Sequence, residues 1–310
     1  MNVAAAQPAS SDCALVVSAP AKVNWILDLL DRRADGYHEV ETVSSTIDLA
    51  DELCITERAS GTGLILTCTD GSVPADERNL VYRAAMLLAR RAGMQPDVSI
   101  HLRKRIPVGA GLGGGSSDAA AVLRALNRLW SLGWSVARLT PLAAAIGSDV
   151  PLLLYGGTAV ARGRGEFVEP IRFAWPGRVV VAMPGLHVPT ATVYASVRPG
   201  DLRVVASGTG VFGDAEATAR WSAIDLLRNC RNGLEPAAFR AFIRLAELQT
   251  ELQRIADRPW RLCGSGSSFF TVWDTAEEAA WCATKVREAL GIRVETTRVE
   301  GTDAANREDS

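Results

Sequence analysis

The 310-residue sequence predicts an α+β protein in two lobes. Three observations carry that reading. Short β-branched or alternating runs fill the first half. A glycine-rich segment, Pro107–Ser117, joins a strand to a helix. The chain then closes as strand, strand, helix, strand. Hydrophobic residues make up 48% and charged residues 22%, which suits a globular protein with a real core.

The elements follow in order. Ala14–Ser18, Val40–Asp48, Glu52–Thr56 and Leu64–Thr67 read as strands bounded by Gly, Asp or Pro. Asn79–Ala92 reads as a helix, with Leu80, Ala84, Leu87 and Leu88 on one face and Gly93 stopping it. Val98–Ile106 alternates as a half-buried strand. The helix after the glycine segment carries Ala119, Val122, Leu123, Leu126, Leu129 and Trp130 on one face. Val136–Ile146 predicts another helix. A lobe boundary is placed near Gly163–Pro170. Beyond it, Val179–Met183 reads as a buried strand, and Ala217–Leu227 and Pro236–Ile255 as helices. Trp260–Cys263, Phe269–Trp273, Thr275–Leu290 and Ile292–Val299 give the closing run. The expected organisation is a disordered leader (1–12), an N-terminal lobe (13–165), a C-terminal lobe (166–300) and a frayed tail (301–310).

A net charge of −2 offers no footprint for a polyanion, so no nucleic-acid partner is expected. No apolar run approaches the roughly 18 residues of a membrane helix, and Met1–Asp12 lacks the basic and apolar parts of a secretory signal. The six cysteines are scattered without a C-x-x-C pair, and there are three histidines. Neither a zinc site nor a disulfide framework is expected, and a reducing cytoplasm fits best.

Pro107–Ser117 is the most informative segment. Five glycines fall in the seven positions Gly109–Gly115. Glycine lets backbone N–H groups converge and lets a ligand approach the main chain. Ser116 is placed to cap the following helix, so strand, loop and helix N-terminus together predict an anion site. A plain strand-to-helix turn would not require glycines, which cost conformational entropy. The Walker loop is excluded because Ser116 follows Gly115 where lysine is needed. Gly109, Gly111 and Gly114 match the dinucleotide fingerprint, yet no Asp or Glu occurs from Ala119 to Ser148. Arg124, Arg128 and Arg138 stand there instead, which disfavours a dehydrogenase and leaves an NADP reading open. Read locally, Asp149 before Val150-Pro151 is a helix N-cap and Lys22 a surface lysine. Tyr194 reads equally as a core helix residue, and Gly264-Ser265-Gly266 as a hairpin turn.

Three segments, Ala19–Asn24, Pro107–Ser117 and Cys263–Ser268, together resemble the motifs of the galactokinase, homoserine kinase, mevalonate kinase and phosphomevalonate kinase family. The resemblance implies an N-terminal ATP-binding lobe of the ribosomal S5 domain 2 type and a ferredoxin-like C-terminal lobe, with the site between them. It implies ATP and Mg²⁺, a small-molecule alcohol as acceptor, a cytoplasmic location, no membrane or nucleic-acid partner, and a monomer or weak homodimer. ATP would be held by Pro107, Val108, Gly109, Ala110, Gly111, Leu112, Gly113, Gly114, Gly115, Ser116 and Ser117, with Asn79 near the adenine. Magnesium ligands stay unassigned, with Ser117 the nearest candidate. Arg33–Glu39, the triple glycine before Ser116-Ser117-Asp118, and Gly147–Pro151 are similar to those members that phosphorylate a cytidine-diphosphate-linked branched tetritol in non-mevalonate isoprenoid synthesis. That likeness makes Asp149 the catalytic base, with Lys22 polarising the same hydroxyl and Asn24 binding substrate or supporting Lys22. Tyr37 and His38 would hold the cytidine, with Tyr194 on its other face and Thr190 beside it. Gly264 and Gly266 would shape the substrate end. Asp118, in the first helical turn, is assigned a structural role. Two residues depart from the pattern: Ala191 stands where relatives carry proline, and Cys263 where serine is common. Another kinase of the family, or a non-catalytic ATP and sugar sensor, are the alternatives.

Overall fold

Leu15–Arg32 forms a single strand of 18 residues (β1), paired antiparallel along nearly its whole length with His38–Glu57 (β2). Both are longer than their sequence signals, because bulges carry the strands through residues that read as breaks. Pro20, which cannot donate to a ladder, sits at a register shift between Pro20 and Ala21. The partner strand passes through Asp48–Asp51 without ending, so Val40–Asp48 and Glu52–Thr56 are one strand.

The computed structural model describes residues 15–203 and 210–300; the expected leader (1–12) and tail (301–310) lie outside the described residues. The elements after β2 are β3 (Ile65–Cys68), α1 (Leu80–Ala92), β4 (Val98–Arg103), α2 (Gly114–Leu129), α3 (Val136–Ile146) and α4 (Val150–Tyr155). Next come β5 (Thr158–Gly163), β6 (Phe167–Pro170), β7 (Arg178–Met183), α5 (Thr190–Ala195), α6 (Ala215–Thr218), α7 (Ala223–Asn229) and β8 (Arg231–Asn232). The chain closes with α8 (Glu235–Ala241), α9 (Ile243–Ala256), β9 (Arg261–Leu262), β10 (Phe269–Trp273), α10 (Ala276–Leu290) and β11 (Arg293–Thr297). One sheet runs β3-β4-β2-β1-β8, with β5 on β2 and β6 on β5; the other is antiparallel, in the order β11-β7-β10-β9. The α+β expectation is met. The change of sheet falls between Pro170 and Arg178, and β8 returns to the larger sheet from late in the chain.

Several expected helices divide for local reasons. Ser222 and Asp225 form a reciprocal capping box that starts α7 afresh, so Ala217–Leu227 is not continuous. Phe242, at φ −137°, separates α8 from α9 within the expected Pro236–Ile255 helix. Ser116 does not cap α2; Gly113 holds the N-cap position with φ +73°, and Ser116 lies inside the first turn. Cys68, Cys230, Cys263 and Cys282 are free thiols, whereas Cys54 is disulfide-bonded. That corrects the expectation that no disulfide forms, which rested on cysteine spacing alone.

The layers stack as helices, sheet, sheet, helices. α1–α4 cover one face of the larger sheet. Its other face meets the smaller sheet through Ala21, Val23 and Trp25 against Val179, Val181 and Phe270. Trp25 is fully buried, 5.5 Å from the Phe270 ring and 5.7 Å from Phe173, and its indole N–H donates to Ser45 Oγ at 2.6 Å. α8–α10 cover the outer face of the smaller sheet. Because β1 is buried on both faces, its polar residues Lys22 and Asn24 are buried as well, on the face turned away from the seam that Ala21, Val23 and Trp25 fill.

A buried ion cluster fixes the approach to the glycine loop. Lys104 Nζ lies 2.5 Å from Asp51 Oδ2 and 2.7 Å from Asp118 Oδ2, and Asp51 Oδ1 accepts the Arg105 and Ile106 amides. This ties β2, the end of β4 and α2 together; Asp118 lies past the first turn of α2, so its structural part is this ion pair and not the dipole complement expected of a first-turn carboxylate. Burial, which would lower the Lys104 pKa, is overcome by the two carboxylates, so it is raised. Asp118 is pushed up to about 7, first by burial and then by Asp51, with Lys104 offsetting part of the rise.

Two outcomes follow. Trp25→Ala empties the seam between the sheets and should cost about 3–5 kcal/mol, read as a lower urea midpoint. Asp118 binds its proton more tightly folded than unfolded, so its contribution to stability is present at low pH and is lost as pH rises through about 7. The stability difference between wild type and Asp118→Asn should therefore shift against wild type between about pH 4 and pH 7, from the ordinary carboxylate value to the raised one. Parallel pH profiles for the two proteins would refute the assignment.

Candidate active site

The glycine loop is held open by two backbone contacts. The Lys22 amide donates to Leu112 O at 2.9 Å, which joins the loop to β1. The Ser268 amide donates to Ala110 O at 3.1 Å, which joins it to the turn between β9 and β10. Gly111, at φ +77°, lies so close to this turn that a Cβ would stand 2.0 Å from the Cys263 carbonyl oxygen. No other residue type fits there. The segment Cys263–Ser268 is thus both the hairpin turn read from local sequence and the floor beneath the loop. Asn232 secures it by donating to Leu262 O and Gly264 O.

Lys22 emerges where these parts meet. Its amine donates to Asn24 Oδ1 at 2.7 Å and lies 3.7 Å from Asp149 Oδ2. Cβ atoms built on Gly113 and Gly264 would fall 3.0 Å from Lys22 Cγ and 3.4 Å from Nζ, so both glycines leave room for the lysine. The side chain is 5% exposed, against 49% for Asp149. Asn24 donates in turn to Thr42 Oγ1 and Ser44 Oγ, so its amide is committed to orienting Lys22. Asp149 occupies the N-cap position of α4, yet its carboxylate accepts nothing from the helix. The capping role read from local sequence is therefore overturned, because Pro151 lies in the first turn of a six-residue helix and the side chain faces Lys22 instead.

A cleft of about 1070 Å³ opens over this pair. Pro107–Ser116 form one wall, with Asn79 and Lys104 beyond. Asn79 caps α1 through Oδ1 and donates through Nδ2 to Pro74 O, so its side chain is already spent on local structure. Tyr37, His38, Thr190 and Tyr194 line the cleft as well, and Gly264 lines it against Gly111 and Lys22. Of the residues expected at the site, Ser117 and Gly266 do not line the cleft. Ser117 turns into the core on the inner face of α2, and Gly266 sits under the turn, 3.3 Å in prospective Cβ contact from Leu262. The hydroxyls of Thr190 and Ser265 lie 2.9 Å apart and link α5 to the Cys263–Ser268 turn.

The aromatic end has a defined geometry. The His38 and Tyr194 rings lie 5.5 Å apart at 36°. Burial first and Arg32 second lower the His38 pKa, so the imidazole is uncharged at neutral pH. Tyr194 is pushed up to about 12 by burial and by the charge of Asp149, so its hydroxyl keeps its proton. Sequence reasoning missed Lys104 and Arg164. Lys104 could have been suspected from its place three residues before the glycine loop. Arg164 had only the two flanking glycines as a signal.

The cleft carboxylates are Asp35, Asp118 and Asp149. Asp35 accepts the Tyr37 amide and pairs with Arg33, Asp118 is buried against Lys104, and Asp149 is the carboxylate that faces Lys22 from an exposed position. Among the described residues no group of three His, Cys, Asp or Glu could cage a metal ion, and no helix is long and apolar enough to cross a membrane.

Residues 79–157 match the model of the GHMP kinases N terminal domain. A 4-diphosphocytidyl-2-C-methyl-D-erythritol kinase of Shouchella clausii is 41% identical over 256 residues, which is 83% of this chain and 84% of that protein. The corresponding kinase of Pelotomaculum thermopropionicum is 40% identical over 87% of this chain and 92% of its own. The crystal structure of a 4-(cytidine 5'-diphospho)-2C-methyl-D-erythritol kinase superposes with a TM-score of 0.74 at 40% identity, covering 93% of this chain and all of that one. Homoserine kinase from Cytophaga hutchinsonii shares the fold at 19% identity, with a TM-score of 0.69 over 95% of this chain and 97% of its own. With the glycine loop, its floor and the Lys22–Asp149 pair in one cleft, this likeness settles that the chain belongs to the 4-diphosphocytidyl-2-C-methyl-D-erythritol kinase family of the GHMP kinases.

Proposed function

We propose that the chain transfers the γ-phosphate of ATP to a hydroxyl of 4-diphosphocytidyl-2-C-methyl-D-erythritol, giving the 2-phosphate and ADP in non-mevalonate isoprenoid synthesis. One observation carries the chemistry: the Lys22 amine and Asp149 carboxylate stand 3.7 Å apart at the mouth of the glycine loop. Asp149 accepts the hydroxyl proton as the new O–P bond forms and the bond to the β-phosphate oxygen breaks. Lys22, oriented by Asn24, balances the charge growing on the acceptor oxygen. The Gly109–Gly115 amides and the N-terminus of α2 hold the triphosphate, doing without the lysine of a Walker loop.

Magnesium fits as an ion carried in on the triphosphate, since the protein offers it few oxygens. Asp149 and the Ser116 hydroxyl are the groups open to it, and phosphates and water would complete its shell. Bound there, it would neutralise phosphate charge. At the acceptor end, Tyr37 and Tyr194 stack on the cytosine and neutral His38 bonds its edge. A sensor reading is disfavoured, because a bystander would not need a buried lysine held towards an open carboxylate.

A coupled ADP-release assay tests this reading. Asp149→Asn keeps the shape but cannot take the proton, so kcat should fall by about 10²–10⁴ while both substrates still bind. Lys22→Met should lose a similar factor, and the double variant should be little worse than either alone. An Asp149→Asn protein with near-full kcat would disprove the assignment of the base. Gly113→Val forces a branched side chain onto Lys22 at φ +73°. It should abolish measurable ATP binding in calorimetry while circular dichroism stays native; unchanged ATP affinity would remove the loop from the site.

A further inference from the structure

Arg164 lies in the turn between β5 and β6 and lines the cleft beside the acceptor end. Its guanidinium carbon stands 4.7 Å from the centroid of the Tyr37 ring. Tyr37 is 55% exposed, and the segment that carries it is a small turn closed by Arg33 N–Tyr37 O and by Asp35 accepting the Tyr37 amide. Those bonds fix the backbone and leave the ring to find its own support. Among the described residues no carboxylate lies within ion-pair distance of Arg164; its charge faces the ring and also acts on Asp35 in the same turn.

The Arg164 turn is itself fixed against the catalytic segment. Gly165, at φ +114°, packs so closely that a Cβ would stand 2.2 Å from the carbonyl oxygen of Ser148, the residue before Asp149. The Glu166 carboxylate accepts the Arg164 amide and fills the space over Gly163, which closes the turn on itself. One rigid turn thus touches both the backbone that presents Asp149 and the ring that faces the acceptor.

We propose that Arg164 is a specificity-determining residue that braces Tyr37 from one face, so that the ring presents its other face to the nucleobase at a fixed distance from Asp149. The proposal rests on the cytidylyl reading of the acceptor end. A cation over an exposed aromatic face is worth enough to change binding by about 2- to 5-fold, because it removes ring positions that cannot stack.

The experiment is steady-state kinetics on the full chain with 4-diphosphocytidyl-2-C-methyl-D-erythritol, varying each substrate in turn. Arg164→Met keeps the apolar stem and loses the cation. KM for the cytidylyl acceptor should rise about 2- to 5-fold, with KM for ATP and kcat unchanged, and Arg164→Lys should recover part of the loss. In a Tyr37→Ala background Arg164→Met should have no further effect, since there is no ring left to brace. Additive losses in the double variant would mean that Arg164 contacts the substrate diphosphate directly and would overturn the brace. An Arg164→Met protein with wild-type KM would overturn it as well. Wild-type protein that ignores the cytidylyl acceptor yet phosphorylates another alcohol would refute the reading on which the proposal rests, and is told apart in the same assay.

Discussion

Everything at this site depends on how closely two backbones approach at Gly111 and Cys263. A phosphate loop needs its amides turned into one concavity, and a loop so shaped has no side chains to pack with. It must be supported from beneath by something equally bare. The Cys263 carbonyl supplies that support at a distance only glycine permits, with φ in the left-handed region at Gly111, Gly264 and Gly266. The backbone bonds Ser268–Ala110 and Lys22–Leu112 then fix the loop on both sides. Three stretches far apart in sequence become one surface because little but main chain separates them, and Lys22 threads through the gap that remains.

Placing a lysine there requires an unusual strand. β1 is buried on both faces, and a bare ammonium at such a depth would be expelled or neutralised. The amine instead finds Asn24 Oδ1, and the Asn24 amide is satisfied by Thr42 and Ser44 on the neighbouring strand. The same strand directs Trp25 into the opposite seam, where it locks the two sheets together. Alternation along β1 therefore serves two ends at once: one face carries the polar chain that aims Lys22, and the next residue carries the aromatic that holds the lobes.

Much of this was legible in the sequence, and the gaps have physical reasons. Helices with clear stops read well: Gly93 ends α1 in the left-handed conformation, and β10, α10 and β11 follow the expected order. β1 and β2 were read short because Pro20 and Asp48–Asp51 resemble punctuation, and a bulge that absorbs a proline leaves no mark in composition. The division at Phe242 depends on packing, which periodicity does not contain. Among the site residues, the glycine loop announces itself through entropy, since so many glycines have no structural return. Asp149 was ambiguous, because a cap and a base use the same residue before the same proline. Only the direction of its side chain separates them. Lys104 and Arg164 were invisible because their meaning lies in neighbours distant along the chain: Asp51, Asp118 and Tyr37.

The charges of the cleft divide into those already satisfied and those left open, and that division explains the loop's composition. Lys104 borders the loop, and a Cβ on Gly114 would lie 3.3 Å from its amine. Two carboxylates already claim that amine, so it cannot act as an unencumbered phosphate anchor. With Asp118 pushed up to about 7, the cluster of Lys104, Asp51 and Asp118 stands between neutral and singly negative near physiological pH. A triphosphate beside it gains little net attraction from that cluster. On the proposed reading the attraction comes from the amides of Gly109–Gly115 and from the α2 dipole, whose strength does not titrate. Gly111, Gly113 and Gly114 leave little or no room for a side chain, and on the proposed reading the main chain supplies the positive potential that a lysine gives a Walker loop.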